Sequence, residues 1–385
     1  MPTLAESYSA SKRTFKMKRL HGRRATSCAR NFYHVNSITN DRPRRTIMKS
    51  AKKKLLFVGP PQKHFRAFMH RDLDLLKKTF DVRLVNVCFN MYYLKCTLVA
   101  LRNLVAGVAW ADVVFCWFAD RNAFPAIALS QLYNKKTLVA VGGADVTTIP
   151  ELGYGLALHK REHFYQMFVL NKATRILPDS KDAEKGALAL VNDTAKVTLI
   201  YLGVDVERFH PSGTKKEKVL TVGAVWRRNL DRKGLETFVK SARYLEDVEF
   251  VLVGHFMDDS INYLRSIGSK NVRFTGLLPA SELMRQYQEA KVYVQVSAHE
   301  AFGLSLAEAM ACECVPVVTD RGAIPEVVGD AGIYVPYGDP EATAQGIRQA
   351  LSSEKGGTAR QRIEEMFTID KREEALLKTM RDLSR

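Results

Sequence analysis

From residue 54 onward, short apolar runs alternate with longer stretches in which apolar positions recur every three or four residues. The first pattern describes strands buried on both faces, the second helices packed along one stripe. In the first half, "KKLLFVGP", "DVRLVNV", "DVVFCWF" and "KTLVAVGG" predict strands, and "FRAFMHRDLDLLKKTF" and "YYLKCTLVALRNLVAGVAWA" predict helices. After "VTLIYLGVDVERFHP" the series restarts. Strands are expected at "KVLTVGAV", "VEFVLVGH", "NVRFTGL", "KVYVQVS" and "VPVVTD". Helices are expected at "KGLETFVKSARYL", near 258–267, at "SELMRQYQEA", after Gly303 and at "PEATAQGIRQALSS". Gly-bounded apolar strands separated by helices build a parallel sheet covered on both sides. The chain therefore reads as α/β, with two doubly wound Rossmann-like domains over 54–208 and 209–365. They meet near Pro211-Ser212-Gly213, and residues 366–385 read as a C-terminal helix packing back toward the first domain. Open parallel sheets bind ligands beyond the carboxyl ends of their strands, so the default site is the cleft between the two.

Length and composition agree with this picture. A chain of 385 residues, 46% hydrophobic and 26% charged, exceeds one ordinary core. The formal net charge of +17 suggests nucleic acid until it is located. Residues 1–54 hold fifteen Lys/Arg against Glu6 and Asp41, which is +13 of the total. The two-domain body is nearly neutral, and no specific nucleic-acid partner is expected of it. The basic segment 1–53 lacks hydrophobic periodicity and is expected to be disordered. It fits an upstream extension before a true start at Met48, a basic arm for anionic lipid or nucleic acid, or a targeting peptide without a secretory apolar block. No run of eighteen apolar residues occurs, so no membrane span is expected. Cys28, Cys88, Cys96, Cys116, Cys312 and Cys314 lack paired metal spacing and read as reduced, mostly buried thiols of a cytoplasmic protein.

Two stretches at strand ends carry candidate chemistry. In "HEAFGLSLAEAMACECVPVVTDRG" (299–322), Glu300 lies in a loop, Phe302-Gly303 opens a helix and Glu308 sits two turns in. The rise from 302 to 308 is about 9 Å. Carboxylates so separated suit the two ends of an elongated ligand better than a shared proton. The free amides of Gly303 and Leu304 would face an anionic centre between them. In "TVGAVWRRNLDRKGLETF", a loop carries Arg227, Arg228, Arg232 and Lys233 before Gly234 opens a helix. Four cations at a helix start oppose the helix dipole and make sense if a diphosphate binds there.

Together these two elements resemble the large retaining glycosyltransferase family with the two-domain GT-B fold, often called family 4. Glu300-x7-Glu308, continuing into "EAMACECVPVVTDRGAIPEVVGDAGIYVPYGDPE", is similar to that family's donor-site signature, and "RKGLETFVKSA" to its phosphate loop. The resemblance covers roughly 54–370 and is strongest over 218–342. It implies a nucleotide-diphosphate sugar as donor, with Glu308 on the ribose and Glu300 on the sugar hydroxyls. Lys233 with Arg227 or Arg228 would neutralise the diphosphate. The backbone of Phe302, Gly303 and Leu304 would contact sugar and phosphate, and Gly59 would line the cleft from the first domain. No metal or other cofactor is implied, and no Asp-x-Asp pair sits in an obvious donor-metal loop.

One departure stands out. Where the family places a histidine at a first-domain strand end, this chain has Gly142-Gly143. Asp145 is the expected catalytic replacement, although it could equally cap the following turn; Asp120 is the alternative. His159 and His163 read as solvated, and His299 as shaping its loop. With no evident nucleophile, same-face substitution is expected, the departing diphosphate helping to deprotonate the acceptor hydroxyl. A retaining glycosidase would instead need its carboxylate pair about 5 Å apart across the bond. The acceptor is expected to be a glycan, a lipid-linked sugar or a small molecule. The aromatic, apolar and basic helix at 92–111 allows peripheral contact with an anionic membrane, although burial of its stripe explains the same pattern. Two rivals remain: a phosphorylase-like or sugar-phosphate-using enzyme on the same architecture, and a non-catalytic protein that binds membrane or nucleic acid through its basic arm.

Overall fold

The computed structural model describes residues 52–60, 65–87 and 94–383, without the side chains of 94–97. The basic segment before residue 52, Cys28, Cys88 and residues 61–64 lie outside the described residues.

The first sheet holds β1 (Lys54–Gly59), β2 (Asp81–Asn86), β3 (Val113–Trp117), β4 (Lys136–Val141) and β5 (Arg175–Pro178). The strands are parallel in the order β2-β1-β3-β4-β5. Helices α1 (Ala67–Thr79), α2 (Leu94–Trp110), α3 (Phe124–Leu132), α4 (Lys160–Lys172) and α5 (Lys181–Leu190) alternate with them. Central strands β3 and β4 are buried at nearly every position, as continuous Val/Phe/Leu runs require. Local chemistry marks the helix ends. Lys77 and Lys78 close α1, where the dipole favours cations, and Ser180 accepts the Ala183 amide to cap α5.

The second sheet holds β6 (Lys216–Val222), β7 (Glu249–Val253), β8 (Val272–Gly276), β9 (Ala290–Gln295), β10 (Val315–Val318) and β11 (Ile333–Tyr334). They run parallel in the order β11-β10-β9-β6-β7-β8. Around them lie α6 (Arg227–Arg232), α7 (Leu235–Ser241), α8 (Ser260–Ile267), α9 (Ala280–Glu289), α10 (Leu304–Ala311), α11 (Ile324–Val328) and α12 (Pro340–Leu351). The chain finishes in α13 (Gly356–Met366) and α14 (Ile369–Asp382). The strand order reverses between β6 and β9, which makes their carboxyl ends the topological switch point. The basic stretch 227–232 is one and a half turns of helix rather than the expected loop.

The two sheets share one body. A single apolar cluster runs from Phe57, Phe115 and Trp117 through Ile200, Leu202 and Val204 to Phe302, Leu306 and Phe367. Each sheet has a second cluster on its other face. Burial of apolar area at about 25 cal/mol per Å² is the main favourable term holding these layers. Helix α14 returns to the first sheet. Its buried Arg372 makes a two-pronged bond to Asp72 on α1 (2.7 Å each) and donates to the carbonyls of Ile200 and Tyr201. Asp72 also accepts from the Trp117 indole at 3.0 Å. Among the described residues no helix is long and apolar enough to cross a membrane. On α2, Leu104 and Val108 are buried whereas Leu98, Val99 and Leu101 are exposed.

Candidate functional site

The site is built at the β6/β9 switch point. Beyond β6 the chain turns through α6 to Lys233 and Gly234; beyond β9 it passes Ser297 and His299 to Glu300. The Ala298 amide donates to the Arg232 carbonyl at 2.9 Å, which fastens the two connections together. Gly234 makes this approach possible. It adopts φ 62°, and a Cβ there would sit 2.0 Å from the Val296 carbonyl oxygen.

Glu300 is buried at 7% exposure, and its Oε1 accepts from three donors: Lys233 Nζ at 2.5 Å, Gln295 Nε2 at 2.9 Å and Ser297 Oγ at 2.9 Å. Burial alone would raise its pKa, but the Lys233 ammonium and Arg232 outweigh that and hold it below the usual carboxylate range. Burial lowers the Lys233 pKa, with Glu300 opposing. Arg232 stacks over the Tyr154 ring, 5.4 Å from its centroid. Gln295 also accepts from the Tyr293 hydroxyl at 3.2 Å, extending the polar network into the sheet.

Glu308 sits on α10, which Gly303 opens in the left-handed conformation. One oxygen accepts from Arg71 of α1 at 2.6 Å, and the other from the Tyr287 hydroxyl at 3.3 Å. Burial raises its pKa, and Arg71 opposes without cancelling. Arg71 also donates to the Gly203 carbonyl at 3.3 Å. Glu308 is thus held from the first domain, a partner the sequence did not suggest. Gly303 and Leu304 are half-exposed at the start of α10, whereas the Phe302 side chain is buried against Tyr201 and Phe367, leaving only its backbone for a ligand.

Several expected residues lie elsewhere. Arg227 and Arg228 are exposed; the Arg227 amide donates to Asp258, and Arg228 packs over Trp226. Helix α6 turns them away, and the arginine it delivers beside Lys233 is Arg232. Asp145 is buried with both oxygens taken by backbone amides, of Ala119 and Gly142 at 3.1 Å each. It braces the ends of β3 and β4, as the turn-capping alternative requires. Asp120 likewise holds the turn that leads into α3, accepting the amides of Asn122 and Ala123. Gly59 is buried at the end of β1 against Phe65. His163 bonds Gln166 at 2.9 Å, and His299 Nε2 meets Asp182 of α5 at 2.8 Å, across the domain boundary. Cys116, Cys312 and Cys314 are buried free thiols. Among the described residues, no cluster of three or more His, Cys, Asp or Glu is arranged to hold a metal ion.

The second wall of the cleft holds a group that sequence reading missed. Asp179, one residue past β5, projects its carboxyl over Gly142; a Cβ on Gly142 would lie 2.1 Å from Asp179 Oδ2. The register Val141↔Pro178 forces this neighbourhood.

Two parallel sheets with this strand order and a cleft flanked by their carboxyl ends define a GT-B architecture. HepE from Anabaena, solved with UDP and glucose, superposes with a TM-score of 0.67 at 16% identity, covering 86% of this chain and 100% of that one. Sucrose-phosphate synthase from Thermosynechococcus elongatus gives 0.72 at 17% identity, covering 86% and 99%. Residues 216–353 match the family described as glycosyl transferases group 1. The lipopolysaccharide core biosynthesis mannosyltransferase LpcC of Rhizobium leguminosarum is 26% identical over 270 residues, 63% of this chain and 74% of that protein. The O-antigen chain mannosyltransferase B of Escherichia coli is 34% identical over 99 residues, 25% of this chain. That match spans only 26% of the E. coli protein, and a match to a phosphatidylinositol N-acetylglucosaminyltransferase component of Arabidopsis thaliana spans 37% of its relative.

Proposed function

We propose that the protein transfers a hexose from a nucleoside-diphosphate sugar to a hydroxyl acceptor, with retention of configuration and without a metal ion. The observation that carries this reading is the convergence of Lys233 and Arg232 on Glu300 across the switch point, beside the first turn of α10. Arg232 offers a planar fork and Lys233 a mobile point charge, the pair of donors a diphosphate needs. The α10 amides add a fixed positive dipole.

In this scheme Lys233 turns from Glu300 to the phosphates, and the ionised Glu300 accepts from sugar hydroxyls. The nucleoside ribose takes Glu308, displacing Arg71. As the bond between the anomeric carbon and the diphosphate oxygen breaks, negative charge gathers on that oxygen and the cations stabilise it. A phosphate oxygen on the same face accepts the acceptor's proton while the acceptor oxygen bonds the anomeric carbon. The products are a glycoside of unchanged configuration and a nucleoside diphosphate.

Relatives named as mannosyltransferases of O-antigen and lipopolysaccharide core support a hexose and a glycan or lipid-linked acceptor. Exposed Leu98, Val99 and Leu101 beside Arg102 on α2 support working at an anionic membrane face on the cytoplasmic side. The deciding experiment is a thermal-shift panel of UDP-, GDP- and ADP-sugars with their free diphosphates, because a ligand of the folded state raises its melting temperature. At least one diphosphate is expected to stabilise the protein, and Lys233→Ala to abolish the effect. A flat response across the panel would overturn the reading.

A further inference from the structure

The end of β4 lacks the histidine that the family resemblance leads one to expect, and the structure shows what fills its place. A side chain at Gly142 would have to displace the Asp179 carboxyl, since its Cβ would lie 2.1 Å from Asp179 Oδ2 and 2.4 Å from Cγ. The volume belongs to a carboxyl reaching over from the neighbouring strand. Asp179 is 5% exposed, and its Oδ1 is buried with no hydrogen-bond partner. Leaving a buried polar atom unpaired is destabilising, so such an atom in a folded protein calls for an explanation.

Its surroundings do not supply one. Burial and the nearby Asp145 carboxyl push Asp179 well above the usual carboxylate range, with Glu326 adding to the push; Arg372 and Ser180 oppose only in part. A protonated carboxyl can donate through its O–H as well as accept. Nothing among the described residues takes Oδ1, whereas both oxygens of Asp145 are filled.

Its place in the fold points at the cleft. The next residue of the β4 connection, Gly143, adopts φ +98°, and a Cβ there would lie 2.6 Å from the Tyr154 hydroxyl and 3.7 Å from Ala301, the neighbour of Glu300. Tyr154 feels Arg232, Glu300, Asp145 and Asp179 together. The Asp179 carboxyl therefore stands on the first-domain wall beside the loop that carries Glu300.

We propose that Asp179 is a sugar-binding residue, its carboxyl hydrogen-bonded to a hydroxyl of the transferred hexose from the side opposite Glu300. This rests on the reading of the cleft as a nucleotide-sugar site, and it assigns the first-domain contact to the residue after β5 rather than to one after β4. A group that only braces the fold would be missed by the apo protein; a group held in reserve for a ligand would not.

The test compares free diphosphates with their glucose and mannose conjugates (UDP, GDP and ADP series) on the full chain and on Asp179→Asn, Asp179→Ala and Lys233→Ala. For the series that stabilises the unsubstituted protein, the sugar conjugate is expected to stabilise it beyond the diphosphate alone. Asp179→Ala should bind the diphosphate unchanged and the conjugate about tenfold more weakly, a loss of about 1.4 kcal/mol. Asp179→Asn, which can still donate and accept, should recover most of that difference. Apo melting temperatures of both Asp179 variants should equal or exceed that of the parent. Retention of the sugar-specific increment in Asp179→Ala, or an apo melting temperature that falls in both variants, overturns the assignment while leaving the diphosphate site intact. No stabilisation of the parent by any diphosphate overturns the cleft reading and this proposal with it, and an absent sugar increment in the parent overturns the proposal alone.

Discussion

Arg71 of the first domain donates to Glu308 of the second at 2.6 Å, so the carboxylate expected to hold a nucleoside ribose is already held from across the cleft. The contact makes Arg71 a competitor of the nucleotide and a tie between the lobes. Arg71→Ala should destabilise the protein by about 3 kcal/mol, because a buried carboxylate loses its cation. The same variant should bind nucleoside diphosphate several-fold more tightly. Urea unfolding and calorimetric titration check the two limbs, and weaker nucleotide binding would make Arg71 a ligand contact instead.

Lys233 and Glu300 form the second pair to separate. Lys233→Met strands Glu300, buried and ionised, and should cost about 3–5 kcal/mol. Adding Glu300→Gln should restore much of that stability, since both charges are then gone. Nucleotide binding should stay lost in the double variant, because the cation itself is missing. Recovery of binding together with stability would refute a phosphate role for Lys233.

The Asp72–Arg372 pair predicts coupling between distant parts of the chain. Asp72→Ala alone should destabilise by about 3–5 kcal/mol, leaving a buried guanidinium without its carboxylate. Asp72→Ala with Arg372→Met should be less destabilised than the sum of the single changes. Strict additivity in a double-mutant cycle would contradict the structure.

Asp145 gives a pH signature. Burial raises it from an ordinary 3.8 to about 6, with the Ala119 and Gly142 amides opposing. The folded state then holds a proton that the unfolded state has released, so stability falls as pH rises through this window and levels off above it. The stability difference between the parent and Asp145→Asn should therefore shift against the parent by about 3 kcal/mol between pH 3.5 and pH 7. A difference moving the other way would show that the two amides outweigh burial.

Much of the fold could be read from alternation alone, because strands such as "VVFCW" and "VPVV" are buried on both sides and so are apolar throughout. Lys233 and Glu300 were legible too: each follows a strand at the place where a doubly wound sheet reverses. What stayed hidden depends on register and on helix phase. Nothing local marks Asp179; it meets Gly142 only because β4 and β5 pair Val141 with Pro178. The four cations of 227–233 look equivalent on a loop, whereas the α6 helix sorts Arg232 inward and leaves Arg227 and Arg228 exposed. Arg71 lies in an ordinary amphipathic helix, and a contact across 237 positions leaves no local trace.

The bond between Asp72 and Arg372 spans 300 positions. During translation the aspartate emerges early and its guanidinium comes only after the whole second lobe has been made. Until then the first lobe carries an unmatched carboxylate among apolar side chains, and the nascent chain cannot reach its final form one lobe at a time. Truncations that remove α14 should accordingly yield chaperone-bound or insoluble material rather than a well-behaved shorter protein.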